Sequence, residues 1–273
     1  QPLLQPYPRR PRWSGALLQK FLHVWRDFQP VSTDRKRFQP LCYESSLGNA
    51  VADAVRISLN SDVAIICGGD LAYGLLPGTV TYDEIKNVFT KDSKIAMASL
   101  TVKEFRQVLE RGLANITLNA FERIDEQLST YDGFPQISGF KLYYDVSAPP
   151  GERVYKILIN GENVDLDSET HTLTLGSTVD MLKGEYGHPP VNDIKASELT
   201  LSTVMMQYIV NGLSEYSPLE RRMQVRGIND GVLSAYMPIT IFPILTIVFL
   251  VAHFTKSRRE TEMEIRKETP WYE

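Results

Sequence analysis

Apolar positions are spread unevenly along the chain, and their spacing predicts most of its elements. From Gly231 to Phe254 the run GVLSAYMPITIFPILTIVFLVAHF carries no formal charge. About 20 apolar residues suffice to cross a hydrocarbon core of about 30 Å, so this run predicts one transmembrane helix. Pro238 and Pro243 lie in its first half, where a kink is absorbed in lipid.

Upstream the pattern changes to short alternating elements. CYESSLGNAVADAVRIS predicts a loop entering a helix, with Ser45 or Ser46 as cap and Val51, Ala54 and Val55 at helical spacing. The run Val63 to Ile66 predicts a short buried strand that stops at Gly68 and Gly69. In TVTYDEIKNVF, Thr81 with Glu84 three residues on forms a capping box. KIAMASL reads as a strand, and TVKEFRQVLERGLANI as a helix with Val102, Phe105, Leu109, Leu113 and Ile116 on one face. After a loop YDGFPQISG come three strand-like runs, KLYYDVS, RVYKILI and HTLTLGST. The order predicts an α/β or α+β domain with a mixed sheet.

Charge then divides the chain. Residues 1–40 form a basic arm: up to Arg26 it carries Arg9, Arg10, Arg12 and Lys20 and no acid. An acid-free, Arg-bearing amphipathic start fits a mitochondrial import region or an arm lying on lipid headgroups. Residues 41–190 are the predicted domain, 191–230 a helical connector, 231–254 the span, and 255–273 a charged tail opening on Lys256, Arg258 and Arg259. The net charge of −4 gives no reason to expect a nucleic-acid partner. Two cysteines and four scattered histidines form no metal-ligand spacing, so neither a metal nor another cofactor is expected. The sequon Asn115-Ile-Thr117 falls inside a predicted helix.

Six motifs, taken in order, resemble the C-terminal, substrate-recognising domain of the 5′-nucleotidases and their UDP-sugar hydrolase relatives. They are ESSLGNAVADA from Glu44, DVAIICGGD from Asp62, GTVTYDEI from Gly78, ASLTVKEFRQVLE from Ala98, FPQISGFKLYYD from Phe134 and PGERVYKILING from Pro150. The resemblance implies a domain that grips a nucleotide by stacking its base between two rings and holding its polar groups with arginines and an asparagine. The family's larger metallophosphatase domain holds two metals that activate the attacking water. No DxH, NHE or GHxH cluster of that kind occurs in this chain.

Set position by position, the resemblance implies a degenerate pocket. CGGDLA puts Cys67 and Ala72 where the family has an asparagine and an arginine, and the upstream arginines fall on Leu41 and Tyr43. One stacking ring falls on Lys91, with Phe89 two residues away as a substitute; the other is replaced by Val179 or Thr178. Gly184, Glu185 and Tyr186 keep an echo of the family's glycine turn, and Asp70, Phe89, Glu185 and Tyr186 are the candidates for residual ligand binding. Stacking contributes about 1 to 3 kcal/mol per base, so nucleotide binding is not expected.

The sequence therefore leads to a non-catalytic, single-pass membrane protein serving as an accessory subunit of a larger membrane complex. Its expected partners are other membrane-protein subunits and the bilayer. The expected site is the mitochondrial inner membrane, with a secretory-pathway or surface membrane as the other address. The alternative is the nucleotide-recognition half of a 5′-nucleotidase-type hydrolase that works with a separate metallophosphatase domain.

Overall fold

A computed structural model describes residues 39–75, 80–211 and 220–229. Its elements run α1 (Gln39–Cys42), α2 (Ser46–Leu59), β1 (Val63–Cys67), α3 (Tyr82–Asn87), β2 (Lys94–Thr101), α4 (Val102–Leu113), β3 (Pro135–Ser138), β4 (Phe140–Asp145), β5 (Val154–Ile159), β6 (Glu162–Asn163), β7 (Thr172–Thr178), α5 (Val179–Leu182), β8 (Lys195–Thr200), α6 (Leu201–Val210) and β9 (Met223–Arg226). They build a mixed α/β fold on two sheets, ordered β3-β1-β7-β2-β8 and β6-β5-β4-β9. β1 runs parallel to β7 and antiparallel to β3, and β4 runs antiparallel to β5 and parallel to β9.

The five-stranded sheet is covered on both faces. Ala64 and Ile66 of β1 pack with α2, α3 and α6 in one core cluster, while Val63, Ile65 and Cys67 pack with α4 and the four-stranded sheet in the other. All five residues of β1 are buried, the pattern of a strand with no solvent face. The helices start where their caps predict. Ser45 Oγ accepts from Gly48 N, and both Thr81–Glu84 and Thr101–Glu104 close capping boxes, the second one unforeseen.

Buried polar groups tie the layers together. The Gln136 side chain on β3 is fully buried and uses its whole capacity: Oε1 accepts from Ser45 N at 2.9 Å and Ser45 Oγ at 3.0 Å, and Nε2 donates to the carbonyls of Pro40 and Tyr43. Glu110 on α4 accepts from the backbone N–H groups of Arg153 and Val154 at 3.0 and 2.7 Å, which fastens the helix to β5. The Arg153 guanidinium turns back to the carbonyls of Leu113 and Ile116, satisfying the end of α4 with a cation.

Several expectations are corrected here. The loop YDGFPQISG contains β3, an edge strand whose Pro135 opens it and so needs no N–H in the ladder. The segment 191–230, expected as a helical connector, carries β8, α6 and β9 among its described residues. α4 ends at Leu113, so Asn115 of the sequon sits on an exposed turn rather than in the helix. Among the described residues no helix is long and apolar enough to cross a membrane. The longest, α2, has 14 residues, about 21 Å at 1.5 Å per residue, against a core of about 30 Å. The span expected over 231–254 lies outside the described residues, as do residues 1–38 and the tail 255–273.

Replacing Glu110 by Ala strands two buried N–H groups beside a buried arginine. The expected cost is about 2 to 4 kcal/mol in urea unfolding, against about 1 kcal/mol for Thr101→Ala, which removes only a helix cap.

Candidate functional site

β1 ends in a backbone crossing. Gly68 N donates to the Phe134 carbonyl and Gly69 N to the Asp132 carbonyl, both at 2.8 Å. A Cβ on Gly68 would sit 1.9 Å from the Pro40 carbonyl oxygen, so only glycine lets these segments approach. The single turn Gly68–Asp70 then carries Asp70 inward, leaving it 2% exposed.

Facing Asp70 is the turn Gly184–Gly187. Its glycines have φ of +104° and +71°, and between them Tyr186 is itself left-handed at φ 55°. A left-handed non-glycine residue costs about 1 to 2 kcal/mol, so something must hold it there. Two groups hold the backbone: Tyr131 donates its hydroxyl to the Tyr186 carbonyl, and Arg111 Nε donates to the Gly187 carbonyl at 2.9 Å. The constrained turn aims the Tyr186 hydroxyl at Asp70, to which it donates at 3.1 Å.

Asp70 is thereby enclosed with one oxygen satisfied; its Oδ2 is buried and has no partner. Burial, reinforced by the nearby Glu185 and Asp180 carboxylates, pushes its pKa up to about 7 despite the Tyr186 hydrogen bond. Burial and then Asp70 raise the Tyr186 phenol, which stays neutral. Beside them Lys91 Nζ meets Asp180 Oδ2 at 2.6 Å, and Ser93 Oγ donates to the same oxygen at 2.9 Å. The Lys91 hydrogen bond holds Asp180 below the ordinary carboxylate range.

Cys67 and His188 lie deeper, Sγ 3.7 Å from Nε2. This is not a nucleophile and its base. His188 Nε2 also lies 3.0 Å from the Gly133 carbonyl, so that nitrogen carries the proton and donates it, and it cannot accept one from the thiol. Burial lowers the His188 pKa and pushes the Cys67 thiol well up, so both are neutral. Among the described residues no group of three or more His, Cys, Asp or Glu is placed to hold a metal ion.

The structure brings together Cys67, Asp70, Lys91, Glu185, Tyr186 and Val179, the last partly buried against the main core. Leu41 stands behind Gly68, its carbonyl accepting from Tyr131 N at 3.1 Å. Tyr43 turns to the core instead, where burial raises it to about 12. Ala72 is fixed through its backbone to Val88, and Phe89, expected as a substitute ring, is buried in the second core cluster beside Leu71. Sequence reasoning missed Tyr131, Arg111, Asp180 and Ser93. The first two act on backbone carbonyls and carry no motif; Asp180 was legible only as the neighbour of Val179.

The 5′-nucleotidase C-terminal domain family model matches residues 30–175. The trifunctional nucleotide phosphoesterase YfkN of Bacillus subtilis is 28% identical over 142 residues, covering 50% of this chain and 9% of that protein. A 5′-nucleotidase precursor from Thermus thermophilus shares the fold with a TM-score of 0.58 at 22% identity, covering 69% of this chain and 37% of its own. The NAD nucleotidase of Haemophilus influenzae follows at a TM-score of 0.54 and 14% identity, covering 67% and 33%. The chain thus spans well under half the length of these proteins.

These findings overturn the expectation of a single-pass accessory subunit. The chain matches the 5′-nucleotidase C-terminal domain, and among the described residues no helix is long and apolar enough to cross a membrane. The mitochondrial inner-membrane and the secretory or surface-membrane addresses rested on that span, and no described helix supports them.

Asp70 also makes stability depend on pH in a definite direction. Its folded pKa lies above that of the unfolded chain, so between about pH 4 and 7 the folded state holds a proton that the unfolded state lacks. Stability from this group is therefore gained as pH falls. Measured by denaturant unfolding, the wild type should gain on Asp70→Asn as pH is lowered from about 8 to about 5, and a constant difference would contradict the assignment.

Proposed function

We propose that this chain, which belongs to the 5′-nucleotidase C-terminal domain family, is the substrate-recognising half of a 5′-nucleotidase-type hydrolase and works with a separate metallophosphatase domain. The observation that carries this reading is the family match across residues 30–175, more than half of the chain. The similarity to YfkN, a nucleotide phosphoesterase, supports a phosphoester ligand. Hydrolysis of such an ester takes metal-activated water. In this division of labour that step belongs to the other domain, and this chain binds and orients the substrate.

The recognition chemistry has been rebuilt. Where the family stacks a base between two rings, this chain has Lys91 and Val179, and Lys91 is already engaged by Asp180. Tyr186 covers Asp70, to which its hydroxyl donates. The Asp70 carboxyl is the polar anchor for a ligand hydroxyl or amino group, reached when Tyr186 gives up its hydrogen bond. Resting closure by Tyr186 makes the affinity of the unaltered chain low.

Calorimetry with adenosine and uridine monophosphates tests this. The wild-type chain should bind in the millimolar range and Tyr186→Ala about tenfold tighter, a gain that Asp70→Ala removes. No saturable binding by either the wild type or Tyr186→Ala at about 10 mM nucleotide would refute the reading.

A further inference from the structure

At the N-terminal end of β1, remote from Asp70, the structure opens a cavity of about 500 Å³, a volume suited to a small organic ligand. Its floor is a closed polar chain. Arg222 forks onto Asp53, with Nη1–Oδ1 at 2.9 Å and Nη2–Oδ2 at 2.7 Å, and Nη1 also donates to the Ile137 carbonyl. Arg222 Nε reaches Glu220 at 2.8 Å. Ser138 donates to Asp53 and accepts from Arg56 Nε at 2.8 Å.

Charge matching around this cavity is uneven. Both carboxylates that line it, Asp53 and Glu220, are held by Arg222. Arg56 spends one N–H on Ser138, and its two terminal nitrogens have no partner among the described residues. Lys141, exposed at the same cavity, has none either. Arg56, Lys141 and Arg222 together face only Asp53 and Glu220, so the lining carries a net charge of +1, which attracts an anion.

Arg56 is also held in place. Gly139, at φ +88°, would put a Cβ 2.8 Å from Arg56 Cδ and 2.3 Å from the Asp62 carbonyl oxygen. Only glycine permits both the left-handed backbone and the passage of this arginine. The remaining lining is Phe140, Leu158 and Ile57, the last 46% exposed, with Tyr208, Asn160 and Gly161.

We infer that this cavity binds a small organic anion, its phosphate or carboxylate group held between Arg56 and Lys141 and its apolar body laid against Ile57, Phe140 and Leu158. The guanidinium offers a planar pair of donors and the ammonium a point charge, which suits an oxyanion of either kind.

The test is ligand-detected NMR titration of the full chain with phenyl phosphate, benzoate and the neutral benzyl alcohol. Saturable binding of one or both anions, stronger than that of the alcohol, is expected. Lys141→Glu should weaken it at least about tenfold and Arg56→Gln, which keeps a donor for Ser138, by a similar factor. Asp70→Asn should leave it unchanged. Preference for phenyl phosphate over benzoate identifies a phosphoester site, and the reverse a carboxylate site. Failure of both anions to saturate at about 10 mM, binding of the alcohol as tight as theirs, or indifference to Lys141→Glu with a folded spectrum would each overturn the inference.

Discussion

A strand buried on both faces leaves polar chemistry nowhere to go but its ends. β1 is such a strand: its five side chains divide between two apolar clusters, and none meets solvent. At its C-terminal end the chain turns through Gly68 and Gly69 into Asp70; at its N-terminal end Ser138, Asp53 and Arg222 gather around the neighbouring edge strand. Both candidate sites are consequences of one packing arrangement. The two sheets and the helix layers hold β1 in place, and so fix how far apart its two polar ends lie.

The interior polar groups fall into two kinds. Gln136 and the Glu110–Arg153 pair are closed systems, each donor matched to an acceptor, and they join segments distant in sequence. Asp70 Oδ2 and His188 Nδ1 are buried without a partner, at a cost of about 1 to 3 kcal/mol for each such group. Both lie at the C-terminal end of β1, where Tyr186 is also left-handed. Two of the four such atoms among the described residues therefore gather at this end, the others being Asn49 Oδ1 and Arg106 Nε.

The chain announces its interior plainly and its edges poorly. Val63 to Ile66, the face of α4 and the Thr81 capping box are local signals, written in hydrophobic period and cap chemistry. β3 hides behind a proline and flanking glycines, and β8 is largely exposed, so it has no buried face to imprint an alternation. The site divides similarly. The expected departures at Cys67, Ala72, Lys91 and Val179 come from aligning motifs. That Phe89 turns into the core, or that Tyr186 swings over Asp70, depends on backbone geometry and on Arg111 and Tyr131, which no local pattern reveals.

The fork between Arg222 and Asp53 joins residues 169 apart in sequence. Until Arg222 has emerged from the ribosome, Asp53 has to wait in a collapsing layer without its cation, and β4 lacks its parallel neighbour β9. Closing so long a loop is entropically slow and comes late. During synthesis the nascent domain thus passes through a stage with its sheet edge uncovered and a carboxylate unmatched. That interval, rather than the finished structure, is when the chain is most exposed to chaperones, proteases and mispairing with a neighbour.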